Sequence, residues 1–194
     1  PYVLAALKQG EGVAEVVSGD LYRSGLFAPM DQADMVELPA DAEDIRFGTW
    51  RLLKVDYLTI GWVNDAPDGG YDIVYQLYDV HTQERLLSQI TSVGPGDLRF
   101  GSHRVADAIY EKLTGVPGAF STRIAYVSAT GEGEGLRYEL VVADADGYNP
   151  ITIVGSPEPL LSPAWSPDGA KLAYVSFEQG NSAIYLQGVS TGAR

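Results

Sequence analysis

Two histidines, several acidic clusters and one glycine-rich loop are the positions whose residue types and spacing bear on chemistry. His81 and His103 are the only histidines among 194 residues. They stand 22 positions apart, not at the i, i+4 spacing that places two imidazoles on one helical face for a zinc ion. Each therefore reads as an exposed or core-edge histidine, and no metal ligand is assigned. Asp144-x-Asp146-Gly147 begins like a calcium loop. Counted from Asp144, however, the sixth position is Asn149 where such a loop needs glycine, and the twelfth is Gly155 where a bidentate glutamate belongs. A hairpin turn suits the same residues better. Gly131, Gly133 and Gly135 alternate with Glu132 and Glu134, and neither lysine nor a helix follows, so a flexible acidic loop is expected in place of a phosphate cradle. No serine is read as standing in a G-x-S-x-G elbow, and neither histidine has an identifiable acid and nucleophile beside it in the sequence, so no hydrolase centre is expected. Asp41, Glu43 and Asp44 could be paired acids, but the start of a helix favours negative charge for capping. The expectation is a protein that is not an enzyme, with no catalytic residue and no cofactor.

Composition narrows the partners. With 26 acidic against 13 basic residues the formal charge is -13, which repels a nucleic-acid backbone or an anionic membrane surface at long range. Neither nucleic acid nor direct membrane insertion is expected, and no apolar run approaches the roughly 20 residues that span a bilayer. The absence of cysteine removes disulfides, thiolate metal sites and a cysteine nucleophile, and fits a reducing or an oxidising compartment alike. Apolar residues make up 45% of the chain, enough to bury a core as one domain or two. The chain opens on PYVLAAL with neither an initiator methionine nor a signal peptide, and is expected to be trimmed.

The elements that must position these residues fall into two textures, with the change near Gly115 to Phe120. The first is mixed. A short apolar run, Tyr2 to Ala6, precedes a helix in which Val13, Val16, Val17 and Leu21 recur at three- and four-residue spacing and Gly25 follows the end. LFAPMD reads as a short strand, and a second helix is expected from Asp44 to Lys54. DYLTIGWV, YDIVYQLYDV and RLLSQITSV read as three strands in antiparallel hairpins, divided by DAPDGG and HTQE. A third helix is predicted over about Asp97 to Leu113, with Val105, Ala106, Ile109, Tyr110 and Leu113 on one stripe, closed by Thr114-Gly115 and Pro117. The predicted order is βαβαβββα.

From Thr122 onward helical periodicity is gone and short apolar runs are divided by Gly, Pro, Asp and Asn. RIAYVS at Arg123 to Ser128 is matched by KLAYVS at Lys171 to Ser176, identical at four of six positions with an offset of 48. RYELVVADADG is answered by AIYLQGVSTG at nearly the same distance. A period in the forties with four short strands per unit is the signature of a β-propeller blade. Pro163 to Ser166 would then be an inner strand and Pro167-Asp168-Gly169 a tight turn, since Asp bonds its own backbone there and Gly supplies the left-handed conformation. Trp165 is expected to wedge between blades. The 72 residues from Arg123 to Arg194 amount to about one and a half units, against the roughly four to eight blades of a closed propeller, so a fragment is expected.

In the junction VADAIYEKLTGVPGAFSTRIAYVS, in LYRSGLFAPMD and YDIVYQLYDV, and in YELVVADADGYN and SPEPLLSPAWSPDGAKLAYVSFE, the chain resembles the TolB family, periplasmic components of the Tol-Pal cell-envelope system of Gram-negative bacteria. The WSPDG unit alone occurs in many propellers; the junction and the order of the two textures make the resemblance specific. It implies an α/β amino-terminal domain with a mixed sheet over 1–119, followed over 120–194 by the start of an all-β, six-bladed propeller, here truncated. It implies a non-enzymatic, periplasmic protein-binding scaffold that links inner-membrane Tol proteins to the lipoprotein Pal, maintaining outer-membrane integrity and supporting cell division. Pal is bound through the propeller and TolA through an amino-terminal arm; that arm would lie before Pro1 and about four and a half blades after Arg194.

A propeller gathers on one face the loops joining second to third strand and those joining each outer strand to the next blade's inner strand. Here these would be Ala129 to Leu136, Gly155 to Leu161 and Glu178 to Asn181, with Glu132, Glu134, Glu158, Leu160, Leu161, Glu178 and Asn181 as the candidate protein-binding rim. An acidic rim with two apolar residues suits recognition of a basic patch on a partner. The alternative is the propeller gate of a serine peptidase whose catalytic domain is missing, and a third reading is a sugar- or metal-binding propeller.

Overall fold

A computed structural model describes residues 2–5, 12–39 and 41–194, with side chains for 12–39, 41–133 and 135–194. The chain divides into two compact units, Pro1–Ser121 and Thr122–Arg194.

The first unit is built on one five-stranded sheet. Its strands are β1 (Tyr2–Ala5), β2 (Phe27–Pro29), β3 (Tyr57–Asp65), β4 (Tyr71–Asp79) and β5 (Arg85–Val93), in the order β2-β1-β3-β4-β5. The β2-β1-β3 pairings are parallel and the β3-β4-β5 pairings antiparallel, so the sheet is mixed. The helices are α1 (Val13–Arg23), α2 (Phe47–Leu52) and α3 (Leu98–Thr114), and the observed order is the βαβαβββα read from periodicity.

Strand alternation sorts the residues of this sheet into two cores. Ile73, Tyr75 and Leu77 of β4 face the apolar stripes of α1 (Val13, Val17, Leu21) and α3 (Val105, Ala106, Ile109). Tyr78 of β4 and Leu58 and Ile60 of β3 face the other way, onto Trp50 of α2 with Ile45 and Val55. Gly101 lets α3 approach the sheet, since a Cβ there would stand 2.8 Å from Ile73 Cδ1 and 2.9 Å from Val93 Cγ1. At the far end of α3, Gly115 takes φ 74 and its N–H bonds Glu111 O at 2.8 Å. This is the left-handed closure that the Thr-Gly pair foretold.

Two expectations are corrected in this unit. No helix runs from Asp44 to Lys54. Ala42–Asp44 form a separate 3₁₀ turn, Ile45 is extended, and α2 starts only at Phe47. Ile45 interrupts the helix because its side chain is buried in the Trp50 core, which an uninterrupted helical path did not provide. Asp41 makes no side-chain capping bond at that turn. The second correction concerns the histidines. His81 is exposed, its Nε2 3.2 Å from Asp56 Oδ1, but His103 is not at a core edge: it is 1% exposed. Its Nδ1 donates to Oδ2 of the equally buried Asp20 at 2.6 Å, and Asp20 also pairs with Arg23. The pair ties α1 to α3 inside an otherwise apolar interface.

The second unit holds two three-stranded antiparallel sheets. One is β6 (Arg123–Thr130), β7 (Arg137–Asp144) and β8 (Ile151–Ser156), in that order. The other is β9 (Leu160–Trp165), β10 (Lys171–Ser176) and β11 (Ala183–Gly188), with β10 in the middle. RIAYVS and KLAYVS each open a hairpin, β6 to β7 and β10 to β11. The two sheets share one core, and they meet in it by opposite faces. From the first sheet come Ala125, Val127, Leu140 and Val142; from the second come Leu160, Leu172 and Tyr174. Ala125 and Val127 are odd positions of the repeat and Leu172 and Tyr174 even ones, although the offset of 48 is even. Front-to-back contact of this kind is what stacked blades require, because every blade presents the same two faces in the same sense. The outward faces leave Ile124 and Tyr126 on one sheet and Ile184 and Leu186 on the other exposed.

Trp165 lies where the wedge was expected: it packs against the shared core, and the Arg123 guanidinium of the other sheet lies 5.3 Å from its ring centroid. Gln187 adds a polar tie, accepting from Tyr174 Oη and donating to Ile153 O across the sheets, each at 3.1 Å. In the turn below, Asp168 Oδ1 accepts from Ala170 N at 3.0 Å and Gly169 takes φ 68.

Removing one member of a buried hydrogen-bonded pair leaves the other polar group without its partner. Asp20→Ala is therefore expected to lower the unfolding free energy by about 1–3 kcal/mol, measured by urea denaturation. The joint change Asp20→Leu with His103→Leu is expected to cost clearly less.

Candidate protein-binding rim

Strand register decides which connections lie together. Thr130 pairs with Arg137 and Tyr138 with Ser156, so the β6–β7 loop and the exit from β8 share one end of the first sheet. Leu160 pairs with Ser176 and Ser176 with Ala183, so the entry to β9 and the β10–β11 loop share one end of the second. Residues 157–159 join these two ends directly. The three expected loops thus form one continuous edge of the unit.

Most of the candidate residues stand on that edge. Glu132, Glu158, Glu178 and Asn181 are exposed and Leu161 is 47% exposed. Glu134 belongs to a 3₁₀ turn, Gly133–Gly135, and its side chain lies outside those described. Leu160 departs from expectation: at 1% exposure it is a member of the shared core and offers no surface. Adjacent strand residues point to opposite faces, and once Leu161 faces outward Leu160 must face in. Ser162 has φ 51, and the β9–β10 register shifts between Ala173 and Val175; this bulge re-aims the chain between Leu161 and Ala164.

Two of the glutamates are held in the same way. Ser156 Oγ accepts from Glu158 N at 2.9 Å, and Ser176 Oγ accepts from Glu178 N at 3.2 Å. Both serines are buried at the ends of their strands. A Ser-x-Glu stretch thereby closes β8 and β10 with a side-chain turn that presents each glutamate at the rim. The recurrence was legible in the sequence as SPE and SFE and was not drawn upon there. Glu178 has a further partner that no local pattern announces: Arg194 Nη1 lies 2.8 and 3.0 Å from its two carboxylate oxygens. The Arg194 guanidinium also lies 5.1 Å from the Tyr185 ring centroid. The hydrogen bond from Arg194, with a smaller one from Tyr185, holds the Glu178 carboxyl below the usual range.

One motif escaped the sequence reading. Gly188-Val189-Ser190-Thr191-Gly192 has the G-x-S-x-G spacing of a hydrolase elbow. It follows an antiparallel strand and folds back, Gly192 N bonding Gly188 O at 2.9 Å and Gly188 N bonding Ala193 O at 2.8 Å. An elbow leads from a strand into a helix, whereas Gly192 takes φ 66 in a turn. Ser190 is a turn residue. The Asp144–Gly147 stretch is likewise a hairpin turn between β7 and β8, with Asp144 N bonding Tyr148 O at 2.9 Å and Gly147 at φ 84. Among the described residues no helix is long and apolar enough to cross a membrane.

Known proteins similar to the chain share both units. A family model described as the TolB amino-terminal domain matches residues 4–86, and one described as the TolB beta propeller domain matches residues 110–194. The Tol-Pal system protein TolB of Xanthomonas campestris pv. campestris (strain B100) is 55% identical over 194 residues, 100% of this chain and 44% of that protein. The Tol-Pal system protein TolB of Xanthomonas euvesicatoria pv. vesicatoria (strain 85-10) is 54% identical with the same coverage. The crystal structure of TolB from Acinetobacter baumannii is similar at a TM-score of 0.88 and 40% identity, over 99% of this chain and 48% of that one. The chain therefore spans a little under half the length of the curated relatives it matches.

Because Arg194 holds the Glu178 carboxyl low, the stabilisation it contributes is full above the ordinary carboxylate range and is lost as the pH falls through the lowered value. Carboxyl resonances followed by NMR over an acid titration are expected to give Glu178 a higher midpoint in Arg194→Gln than in the unaltered chain. An unchanged midpoint would mean that the arginine does not set it.

Proposed function

Because this chain belongs to the TolB family of Tol-Pal system proteins, we propose that it is part of a periplasmic, non-enzymatic scaffold that works by protein-protein recognition. Residues 1–119 form its amino-terminal domain and 120–194 the start of a six-bladed propeller. The whole protein links the inner-membrane Tol proteins to the lipoprotein Pal, taking Pal on the propeller and TolA on an amino-terminal arm, and so maintains the outer membrane and supports division.

The observation that carries this reading is the rim. Three connections from two successive sheets run along one edge, with Glu132, Glu158 and Glu178 exposed beside Leu161. Mixed acidic and apolar surface on turns braced by their own strands suits a protein partner, since a rigid loop loses little entropy on binding. The acids act mainly on encounter: complementary charge at a rim raises the association rate more than it lowers the dissociation rate.

A pull-down with Pal tests the proposal. The full-length protein is expected to retain Pal and a form without the propeller to lose it; equal retention by both would sink the reading. With the full-length protein, Glu132→Lys combined with Glu158→Lys is expected to slow association about tenfold at low salt, and the difference should shrink as salt screens the rim. Stopped-flow or surface-based kinetics at two ionic strengths would measure it.

A further inference from the structure

A groove in the first unit is lined by both methionines of the chain. The groove measures about 240 Å³ and lies between α1, which contributes Ala14, Glu15 and Ser18, and the segment after β2, which contributes Met30, Asp31 and Met35. Ala14 and Ser18 are one helical turn apart, and their small side chains leave room on that face of α1. Met30 and Met35 are the only methionines of the chain, and both are half-buried, packed against the Trp50 core. A thioether on an unbranched stem adapts its shape to what it touches, which is why methionine is over-used at binding surfaces. To find both methionines in one open groove, backed by core on one side only, points to contact with something outside the chain.

Size and charge define that something. Pockets that enclose drug-sized ligands run to roughly 300–1,000 Å³, so this one takes a side chain or two and not a free small molecule. The charged lining residues, Glu15 and Asp31, are both acidic and both exposed. Asp31 is held in place: its Oδ1 accepts from Ala33 N at 3.0 Å, capping the 3₁₀ turn Gln32–Asp34. A second depression, lined by Val36, Glu37, Leu38 and Glu43, begins one residue beyond Met35. There Val36 is 63% exposed, and Glu37 faces Arg46 at 3.8 Å. Two depressions lined by successive residues, Met35 and Val36, suit an extended segment better than a single amine.

We propose that the groove between α1 and the Met30–Met35 segment docks a short extended stretch of a partner protein in which lysine or arginine alternates with an aliphatic residue. The aliphatic stem of the basic side chain lies over the two thioethers while its charge meets Glu15 and Asp31, the arrangement that long cationic side chains favour at an apolar surface with an acidic border. The neighbouring aliphatic residue reaches Val36. This site is independent of the rim on the second unit, so failure of Pal binding there leaves it standing.

The probe is the blocked peptide acetyl-GLKLKG-amide, titrated into protein carrying isotope-labelled methionine methyl groups, with the two signals assigned by Met30→Leu and Met35→Leu. Both signals are expected to shift along a saturable curve. Glu15→Gln with Asp31→Asn is expected to weaken the affinity about fivefold. Acetyl-GLELEG-amide, acetyl-GSKSKG-amide and spermidine are the controls, expected to shift neither signal comparably. No shift with acetyl-GLKLKG-amide in millimolar excess overturns the proposal. So does an equal response to any of the controls, or an affinity that the double variant does not change.

Discussion

Front-to-back burial between two repeated sheets is the constraint on which the second unit depends. Each sheet alone is three strands whose apolar face would be left open to water. Joined, they remove Leu140, Leu160, Leu172 and Tyr174 almost wholly from solvent, at roughly 1.5–3 kcal/mol for each large apolar side chain so buried. The contact also sets direction. Because the odd face of one repeat meets the even face of the next, strands of both sheets keep the same sense, and the connections of like kind come out along one edge. The rim is a consequence of that stacking, and a face-to-face sandwich of the same two hairpins would have separated those loops.

The first unit solves a related problem with different parts. Its sheet is covered by α1 and α3 on one face and by α2 on the other, and the alternation along β3 and β4 assigns each residue to its side. A buried carboxylate and imidazole, Asp20 and His103, sit in the helix-helix contact where apolar residues would pack as well or better. What such a pair supplies over an apolar contact is register, since a hydrogen bond of 2.6 Å permits one alignment of α1 against α3, whereas smooth apolar surfaces tolerate several. Midway along α3, Asp107 takes the backbone N–H groups of Phe120 and Ser121 at 2.7 and 3.1 Å. That carboxylate explains why the junction after the helix has so distinctive a sequence. Gly118 passes so close that a Cβ would stand 2.6 Å from Asp107 Cα.

Residues whose types could do chemistry have structural roles in this fold. Acids cap turns, define hairpins and line the rim; the one buried imidazole is held by a helix partner; the G-x-S-x-G serine turns a chain reversal. The Ser-x-Glu turns at the ends of β8 and β10 anchor each glutamate to a buried serine.

Periodicity, turn chemistry and the repeat are local patterns. They were enough to read the order of strands and helices, the left-handed closure at Gly115, the Asp168-Gly169 turn and the edge along which the loops emerge. Asp20 and His103 left a fainter trace, each a polar residue on an apolar helical stripe, three places after Val17 and three before Ala106. Their pairing spans 83 positions and could not be seen without the helices in contact. The start of α2 was misread because the burial of Ile45 is decided by Trp50 and β3, not by its neighbours in the chain. Leu160 and Leu161 are the sharpest case: two identical side chains in succession, one in the core and one on the rim. Composition and spacing cannot separate them, because which face of a strand is inside depends on what covers it, and that is settled only when the second sheet packs against the first.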